Sequence, residues 1–204
     1  RLDEDDNINH TLIHSGQHYD DLLSGIFFED LNIRQPDYNL NTGKEAVNHY
    51  EQQSILSTKL ITLIQNKRLS PDLILFLGDS NSVLASIPLK KEGYVIGHIE
   101  AGMRSYDERM LEEINRKACD HVSNLLFVYH NDYKNNLLKE NISEDRIHVV
   151  GNTIIEPLRG IADASYKGNK KHILLDIHRP ENFKYEDRLR SIINYGNYCY
   201  NNTN

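Results

Sequence analysis

Pro71-Asp-Leu-Ile-Leu-Phe-Leu-Gly-Asp-Ser80 is the stretch that decides the fold, because its pattern predicts a buried strand joined to a polar turn. The segment Leu73–Leu77 is a continuous apolar run, typical of a strand that is covered on both faces. Gly78-Asp79-Ser80 interrupts this run and precedes a short helical segment over Val83–Lys91. The stretch therefore predicts one strand–turn–helix unit of a parallel sheet.

The same kind of unit recurs further along the chain. Strands are predicted where apolar residues run together, and helices where they recur every three or four positions. The predicted strands are Val95–Ile99, Leu125–Tyr129 and Arg146–Val150, and the predicted helices are Leu111–Val122 and Asp132–Glu140. Strands alternating with helices predict an α/β fold with a parallel sheet and right-handed crossovers.

The residues before Pro71 are predicted to form one short strand and two helices. The strand is Thr11–His14, and the helices are Ser24–Leu31 and Ala46–Asn66, with a loop containing Pro36 between them. The periodicity of apolar residues supports the helix Ala46–Asn66, and Ser15-Gly16 is a turn signal after the strand.

A polar stretch from Pro157 to Lys171 predicts a domain boundary. After it, His172–Ile177 is predicted as a fresh strand and Tyr185–Tyr195 as a helix, followed by a polar tail without regular structure. We expect an N-terminal lobe over residues 1–157, a linker over 158–171 and the start of a second lobe over 172–204. A domain usually needs roughly 100–150 residues, so the second lobe is only begun.

Composition excludes several classes of function. The 23 Lys and Arg residues against 30 Asp and Glu residues give a net charge of −7, which predicts no nucleic-acid partner. Apolar runs are too short to cross a bilayer, so no membrane association is expected. Cys119 and Cys199 lie far apart without metal-ligand spacing, and a reducing cytoplasmic location is expected.

Two carboxylates follow successive predicted strands at the point where each strand ends. Asp79 comes after Leu73–Leu77, and Glu100 comes after Val95–Ile99. Ligands of open α/β sheets bind beyond the carboxyl ends of the strands, so both are candidate site residues. Asp79 could instead serve as a helix N-cap. Glu100 has no such structural role open to it, and a carboxylate in this position is costly unless something binds it.

Glu112 is a third candidate, with an equally good structural explanation. Together with Glu113 it opens a predicted helix, and acidic residues favour helix N-termini. Its spacing to Arg116 also allows an ion pair one turn apart.

A metal site and a dinucleotide cofactor are not predicted. His10, His14 and His18 recur every four residues, which on a helix would present metal ligands on one face. The intervening Thr11–Ile13 run favours a strand, on which the three residues would span too great a length for one ion. No Gly-x-Gly-x-x-Gly motif occurs in the chain.

Six motifs along the chain resemble, in order, the successive motifs of the non-hydrolysing UDP-N-acetylglucosamine 2-epimerases. They are Ser15-Gly-Gln-His-Tyr-Asp20, Leu77-Gly-Asp-Ser80, His98-Ile-Glu-Ala-Gly-Met-Arg104, Glu112-Glu-Ile-Asn-Arg116, Val150-Gly-Asn-Thr153 and His178-Arg-Pro-Glu-Asn-Phe183. Each motif alone is short, but six in register over nearly the whole chain are specific to this family.

The resemblance implies a fold and a set of site residues. The fold is α/β, a Rossmann-like parallel-sheet lobe of a two-lobed GT-B-type fold, with the sugar nucleotide in the cleft. The implied catalytic residues are Asp79, Glu100 and Glu112, which handle protons, and His178, which faces the diphosphate. The implied substrate-binding residues are Arg104, Asn115, Arg116 and Arg179, and those implied to touch a regulatory nucleotide-sugar are Gln17 and His18.

The implied reaction is the isomerisation of UDP-GlcNAc to UDP-ManNAc. C2 of a hexosamine is not α to a carbonyl, so direct removal and return of its proton is implausible. The family instead eliminates UDP to give a 2-acetamidoglycal and then adds UDP back, which requires positioned carboxyl groups and support for the diphosphate. Neither a metal nor a redox cofactor is needed. The implied partners are a UDP-N-acetylhexosamine and a second copy in a homodimer, and the implied pathway is polysaccharide biosynthesis.

Departures from the family pattern keep several functions open. The chain begins beyond the family's opening strand and Arg-containing loop, and most of the second lobe is absent, so we expect a chain truncated at both ends. Leu111 replaces the usual proline, and Met103–Arg109 looks more like the branch acting on UDP-2-acetamido-2,6-dideoxyhexoses. The sequence is also compatible with a hydrolysing epimerase, a B-type glycosyltransferase or a catalytically incomplete fragment that acts as a binding module.

Overall fold

The structure is a computed structural model of the whole chain. It describes residues 2–16, 28, 31, 33–159, 172–177 and 180–202, without the side chains of residues 159, 180 and 181. The chain divides into two compact units, Arg1–Gly160 and Ile161–Asn204.

The strands of the first unit form two parallel sheets. Their bounds are β1 Ile13–His14, β2 Tyr38–Asn39, β3 Ile74–Leu77, β4 Ile96–Ile99, β5 Leu125–Val128 and β6 Ile147–Val149. Strands β1 and β2 form a parallel pair, and β3 to β6 form a four-stranded parallel sheet in the order of the sequence. The α/β class with a parallel sheet is confirmed.

Helices connect these strands. The α-helices of this unit are α1 His49–Asn66, α2 Ser86–Lys91, α3 Leu111–Val122, α4 Asn131–Lys139 and α5 Ile155–Arg159. Short 3-10 helices occupy Leu2–Glu4, Thr42–Lys44, Asn81–Ala85 and Glu144–Arg146. Successive parallel strands require such crossovers, since a tight hairpin can join only antiparallel strands.

Helix α1 shows how local sequence sets an element. Its first backbone N–H groups have no intrahelical acceptor, and the Asn48 side chain accepts from the N–H of Glu51 at 3.0 Å. The start predicted at Ala46 is therefore three residues too early. The apolar stripe Leu56, Leu60 and Ile64 recurs every four residues and is buried against the sheet.

Two apolar clusters make up the core of the first unit. The larger cluster packs α1 and α2 against β3 and β4, and the smaller packs α4 against β5 and β6. The buried members of the larger cluster are Leu56, Leu60, Ile64, Phe76, Val83, Ala85, Leu89, Ile96 and Cys119. Cys119 is buried and packs as a small apolar core residue.

Most predicted elements are observed, with shifted ends. Helix Leu111–Val122 matches its prediction at both ends, whereas the predicted helix Val83–Lys91 is a 3-10 turn followed by α2. Strand β2 lies in the predicted loop, because a strand of two residues leaves no alternating pattern to detect. Most of the predicted helix Ser24–Leu31, like residues 160–171 of the predicted linker, lies outside the described residues.

The second unit differs from its prediction. Its described helices are α6 Pro180–Phe183 and α7 Glu186–Asn202. Residues 172–177 belong to no strand or helix, so the predicted strand His172–Ile177 is wrong for this chain, as is the tail predicted to lack regular structure. A strand needs a neighbour to satisfy its backbone, and none of the described residues of this unit provides one.

Candidate functional site

Asp79 and Glu100 follow two neighbouring strands of the four-stranded sheet. Strands β3 and β4 are in parallel register, with Leu77 opposite Ile99, so both chains leave the sheet at the same edge. The N–H of Gly78 donates to the carbonyl oxygen of Ile99 at 3.1 Å and keeps the two loops together. The predicted convergence of the two carboxylates at this edge is therefore present in the fold.

The backbone at Glu100 is held in an uncommon conformation. Its φ is 75°, in the left-handed region that residues other than glycine rarely occupy. The N–H groups of Glu100 and Ala101 both donate to the carbonyl oxygen of Phe127 at 3.2 Å, which anchors the bend. Strained backbone of this kind is common at functional sites.

Gly102 completes the bend after Glu100. Its φ is 77°, and a Cβ added there would lie 2.5 Å from the carbonyl oxygen of Tyr133 at the start of α4. Only glycine allows this approach, which explains why a glycine follows Glu100-Ala101.

The Glu100 carboxyl lies in an environment that favours its neutral form. Partial burial raises its pKa, and the negative charge of Asp79 raises it further. The nearby cations Arg116 and His98 oppose this shift, as does a long contact of 3.5 Å from the Tyr129 hydroxyl. A carboxyl with a raised pKa holds its proton to a higher pH than an ordinary glutamate, which favours exchange of a proton with a substrate.

Helix α3 holds the Asp79 loop through two consecutive residues. The Arg116 guanidinium pairs with the Asp79 carboxylate, and the Asn115 side chain donates to the Asp79 carbonyl oxygen at 3.0 Å. Asp79 is not a helix N-cap, since Ser80 occupies that position before the 3-10 helix. Three of the predicted site residues, Asp79, Asn115 and Arg116, are therefore in direct contact.

A polar network extends this site to α1. The Asn81 side chain accepts from Asn115 at 3.2 Å, donates to Gln52 at 2.7 Å and lies 2.9 Å from the His49 ring. Asn81 is buried, so these partners satisfy an amide that would otherwise be costly to bury.

Glu112 and Glu113, adjacent in sequence, have opposite environments. Glu112 is exposed and lies on the α3 face that carries Asn115 and Arg116, three and four residues further on. Its expected ion pair with Arg116 is replaced by the pairing of Arg116 with Asp79. Glu113 is fully buried and accepts from the N–H groups of Ser105 and Tyr106 at 2.8 Å and 3.2 Å.

Arg104 is not brought to this group of residues. Its guanidinium is fully buried and pairs with Asp120 at 2.8 Å and with Glu140 at 2.7 Å. Both partners of this guanidinium are side chains of the protein itself, so the position of Arg104 does not support the expected contact with substrate.

Four further predicted residues, Gln17, His18, His178 and Arg179, lie outside the described residues.

Sequence reasoning missed several residues that the structure places around the site. Those with direct links to the two loops are His98, Asp120, Glu113, Tyr129 and Asn81. The only signals in the sequence were a histidine within an apolar strand, His98, and an aspartate near the end of an amphipathic helix, Asp120. Both patterns are common in proteins without any such link.

Metal-binding and membrane-spanning features are absent from the described residues. These residues contain no cluster of three or more His, Cys, Asp or Glu side chains that could hold a metal ion. No helix of that part of the chain is long and apolar enough to cross a membrane. His10, one of the three histidines spaced four residues apart, pairs with Asp3 at 2.9 Å.

We predict that Asp79→Asn lowers the pKa of the Glu100 carboxyl. Removal of the Asp79 charge removes one cause of the raised pKa, and it leaves Arg116 free to stabilise the ionised form. A ¹³C NMR titration of side-chain carboxyl carbons measures this shift. Asp132→Asn, at an exposed position in the first turn of α4, is the control. A Glu100 titration that is unchanged or moves upward in Asp79→Asn would contradict the coupling.

Known proteins resemble this chain over nearly its whole length. The sequence profile of the UDP-N-acetylglucosamine 2-epimerase family matches residues 1–200. A UDP-N-acetylglucosamine 2-epimerase of Methanococcus maripaludis is 41% identical over 199 residues, which cover 90% of this chain and 53% of the relative. One of Methanocaldococcus jannaschii is 38% identical, covering 93% and 54% respectively.

A solved structure shows the same fold. The crystal structure of Methanocaldococcus jannaschii UDP-GlcNAc 2-epimerase in complex with UDP-GlcNAc and UDP superposes with a TM-score of 0.82 at 36% identity. The match covers 95% of this chain and 55% of that one, so the chain spans about half the length of its relatives. With these matches and the α/β lobe that carries the carboxylates, the chain belongs to the UDP-N-acetylglucosamine 2-epimerase family.

Proposed function

We propose that the full-length protein, meaning this chain continued to the length of its relatives, interconverts UDP-GlcNAc and UDP-ManNAc. The observation that carries the proposal is the pair of carboxylates, Asp79 and Glu100, on adjoining strand ends of a lobe shared with this family. Inversion at C2, a carbon that no carbonyl group activates, requires two acid–base groups close together, and one sheet edge can supply both.

The proposed chemistry is an elimination followed by an addition. A carboxylate takes the proton from C2 while the C1–O bond breaks, and the electron pair leaves with UDP. A C1=C2 double bond forms, giving a 2-acetamidoglycal. In the reverse step a proton reaches the opposite face of C2, and a UDP oxygen forms the new bond to C1. No net redox change occurs, and every proton is carried by protein carboxyl groups.

Glu100 is proposed as the principal proton carrier at C2. Its raised pKa lets it hold a proton closer to neutral pH than an ordinary glutamate does. Asp79, whose charge is balanced by Arg116, is proposed as the second carboxylate of the pair. Glu112 is proposed as the third, because it is exposed on the α3 face that contacts the Asp79 loop.

The cationic and amide side chains are proposed to support these carboxylates and the diphosphate. Asn115 and Arg116 position Asp79, and Arg116 also supplies positive charge near the substrate. Arg104 is reassigned from substrate contact to support of its own loop, because its guanidinium is buried between Asp120 and Glu140. On the resemblance alone, His178 is proposed to face the diphosphate, Arg179 to bind the substrate, and Gln17 and His18 to touch a regulatory nucleotide-sugar.

The resemblance also supports proposals about the protein's setting. We expect a cytoplasmic homodimer that takes a UDP-N-acetylhexosamine and supplies polysaccharide biosynthesis. Residues 1–157 are proposed as the N-terminal lobe, 158–171 as a linker and 172–204 as the start of the nucleotide-binding lobe. We propose UDP-GlcNAc as the substrate because the relatives at 38–41% identity are named UDP-N-acetylglucosamine 2-epimerase.

Solvent exchange at C2 tests the proposed reaction. The full-length protein is incubated with UDP-GlcNAc in deuterated water, and C2 of the recovered sugar is followed by NMR. Deuterium at C2 in both UDP-GlcNAc and UDP-ManNAc is the expected result. Free ManNAc together with UDP would instead indicate a hydrolysing epimerase.

A parallel incubation with a UDP-2-acetamido-2,6-dideoxyhexose tests the deoxysugar as substrate. Exchange with this analogue alone would move the substrate to the deoxyhexose branch suggested by Met103–Arg109. Absence of exchange with both sugars would reject the epimerase proposal.

A further inference from the structure

A buried histidine lies directly beneath the two carboxylate loops. His98 is fully inaccessible to solvent, on the strand that ends immediately before Glu100. Its Nε2 lies 2.7 Å from the carbonyl oxygen of Gly78, the residue before Asp79. Its Nδ1 lies 2.7 Å from the Asp120 carboxylate on α3. One ring therefore touches the loop of Asp79 and a helix that holds it.

The two partners of this ring fix its protonation. A carbonyl oxygen can only accept, so Nε2 must carry a hydrogen, and an ionised carboxylate likewise requires a hydrogen on Nδ1. Burial alone disfavours the resulting imidazolium. The hydrogen bond to Asp120, with smaller contributions from the adjacent Cys119, outweighs burial and raises the pKa of His98 to about 10. His98 is thus a cation at neutral pH.

Asp120 connects this cation to the second loop. Its Oδ2 accepts from the N–H of Gly102 at 3.1 Å, directly after the Glu100 bend. The same oxygen pairs with Arg104 at 2.8 Å, and Arg104 is fixed in turn by Glu140. The Asp120 carboxylate therefore has three donors, and a shift of this carboxylate would break its hydrogen bond to the Gly102 loop.

We propose that the buried His98–Asp120 pair is a positioning device that sets the Asp79 loop and the Glu100 loop at a fixed separation. The inference rests on the proposed function, because the pair would serve to hold two proton-transfer groups beside one carbon of the substrate. The pair acts only through other residues, since neither side chain is accessible to a substrate. A displacement of about 1 Å in such a site can lower turnover by about a hundredfold.

A purely structural pair would behave differently from a positioning device. Loss of a structural pair lowers the amount of folded protein but leaves kcat per folded molecule unchanged. Loss of a positioning device lowers kcat while KM stays nearly constant, because substrate contacts remain but the reacting groups are misaligned. The split between kcat and KM therefore separates the two roles.

The experiment compares His98→Asn and Asp120→Asn with the unsubstituted full-length protein. Asparagine at 98 can place its amide where Nδ1 of the ring lies, near Asp120, but it carries no charge and is too short to replace Nε2 at the Gly78 carbonyl. We expect kcat for C2 epimerisation to fall about tenfold to a hundredfold in each variant, with KM changed less than about threefold. His148→Asn, at an exposed histidine of β6, is the matched control and should leave both parameters unchanged.

An NMR measurement decides the inference independently of activity. In ¹⁵N-histidine-labelled protein, both His98 ring nitrogens should remain protonated at pH 8. In ¹⁵N-glycine-labelled protein, the Gly78 and Gly102 amide resonances should move in His98→Asn and stay in place in His148→Asn. A neutral His98 ring, or unmoved glycine resonances, would overturn the positioning role. If the wild-type protein is inactive but gives the expected NMR result, only the proposed function is rejected. If the wild-type protein is active and the His98 and Asp120 variants keep its kcat, only the positioning role is rejected.

Discussion

Glu100→Gln is expected to lower the epimerisation rate of the full-length protein by about 10²- to 10⁴-fold, in line with the loss of an acid–base group. Glutamine has nearly the same size and can still accept from the Tyr129 hydroxyl, so the fold of the loop should be preserved. It cannot take a proton from C2, so the proposed proton carrier at this position is lost. The measurement is the initial rate of deuterium incorporation at C2.

Glu144→Gln is the matched control for this substitution. Glu144 is exposed and pairs with Lys134 at 2.6 Å, away from the carboxylate edge of the sheet. Its variant should retain the full rate, and a near-wild-type rate for Glu100→Gln would refute the assignment of Glu100.

The pH profile provides a second check on Glu100. Because burial raises its pKa, the base form is lost as the pH falls through a value above that of an ordinary glutamate. The acid limb of kcat/KM should therefore lie above the ordinary glutamate range.

Glu113→Ala and Glu112→Ala are expected to have opposite effects although the two residues are adjacent. Glu113 is fully buried, accepts three hydrogen bonds from Ser105 and Tyr106 and lies 3.5 Å from the buried Arg116 guanidinium, so its removal takes an acceptor from these donors and a countercharge from Arg116. We expect the free energy of unfolding to fall by about 3 kcal/mol or more. Glu112 is exposed, and its removal should change this free energy by less than about 0.5 kcal/mol.

Urea denaturation of each variant measures the two free energies of unfolding, and C2 exchange measures the activities. Glu112→Ala is expected to lose activity while staying as stable as the wild type. Equal stability losses in both variants would contradict the division of roles between these residues.

The stability that Glu113 contributes to the fold should also depend on pH. Burial opposes the charge of Glu113, but hydrogen bonds from Ser105 outweigh it and lower its pKa in the folded state. Such a carboxylate stabilises the fold above the pKa of the unfolded chain, and this contribution is lost as the pH falls through the lower folded pKa. Glu113→Ala should therefore weaken the loss of stability on the acid side.

The parallel sheet and its carboxylate edge could be predicted from sequence because both depend on local patterns. The apolar run Leu73–Leu77 and the amphipathic helix Leu111–Val122 carry their own periodicity, and their observed ends lie close to the predicted ones. The placement of Asp79 and Glu100 at one edge then follows from the geometry of parallel strands. None of these steps needs knowledge of distant contacts.

Long-range contacts account for what could not be predicted. The local sequence does not distinguish Glu112 from Glu113 at the start of a helix. Only packing against Ser105 determines which of the two side chains is buried. Arg104 closes the motif that contains Glu100, yet its guanidinium pairs with Glu140, 36 residues further along the chain, and does not join Asp79 and Arg116. The predicted strand at 172–177 failed because a strand depends on its neighbours as much as on its own residues.

The left-handed backbone at Glu100 has an evolutionary consequence. A glutamate in this conformation opposes folding by about 1–2 kcal/mol, whereas glycine adopts it freely. Under the proposed function, selection for proton transfer by Glu100 would retain the side chain against this cost. A lineage that no longer needed the chemistry would gain stability by drifting to glycine at this position. Glycine in place of Glu100, in an otherwise intact motif, would therefore mark a relative as a pseudoenzyme.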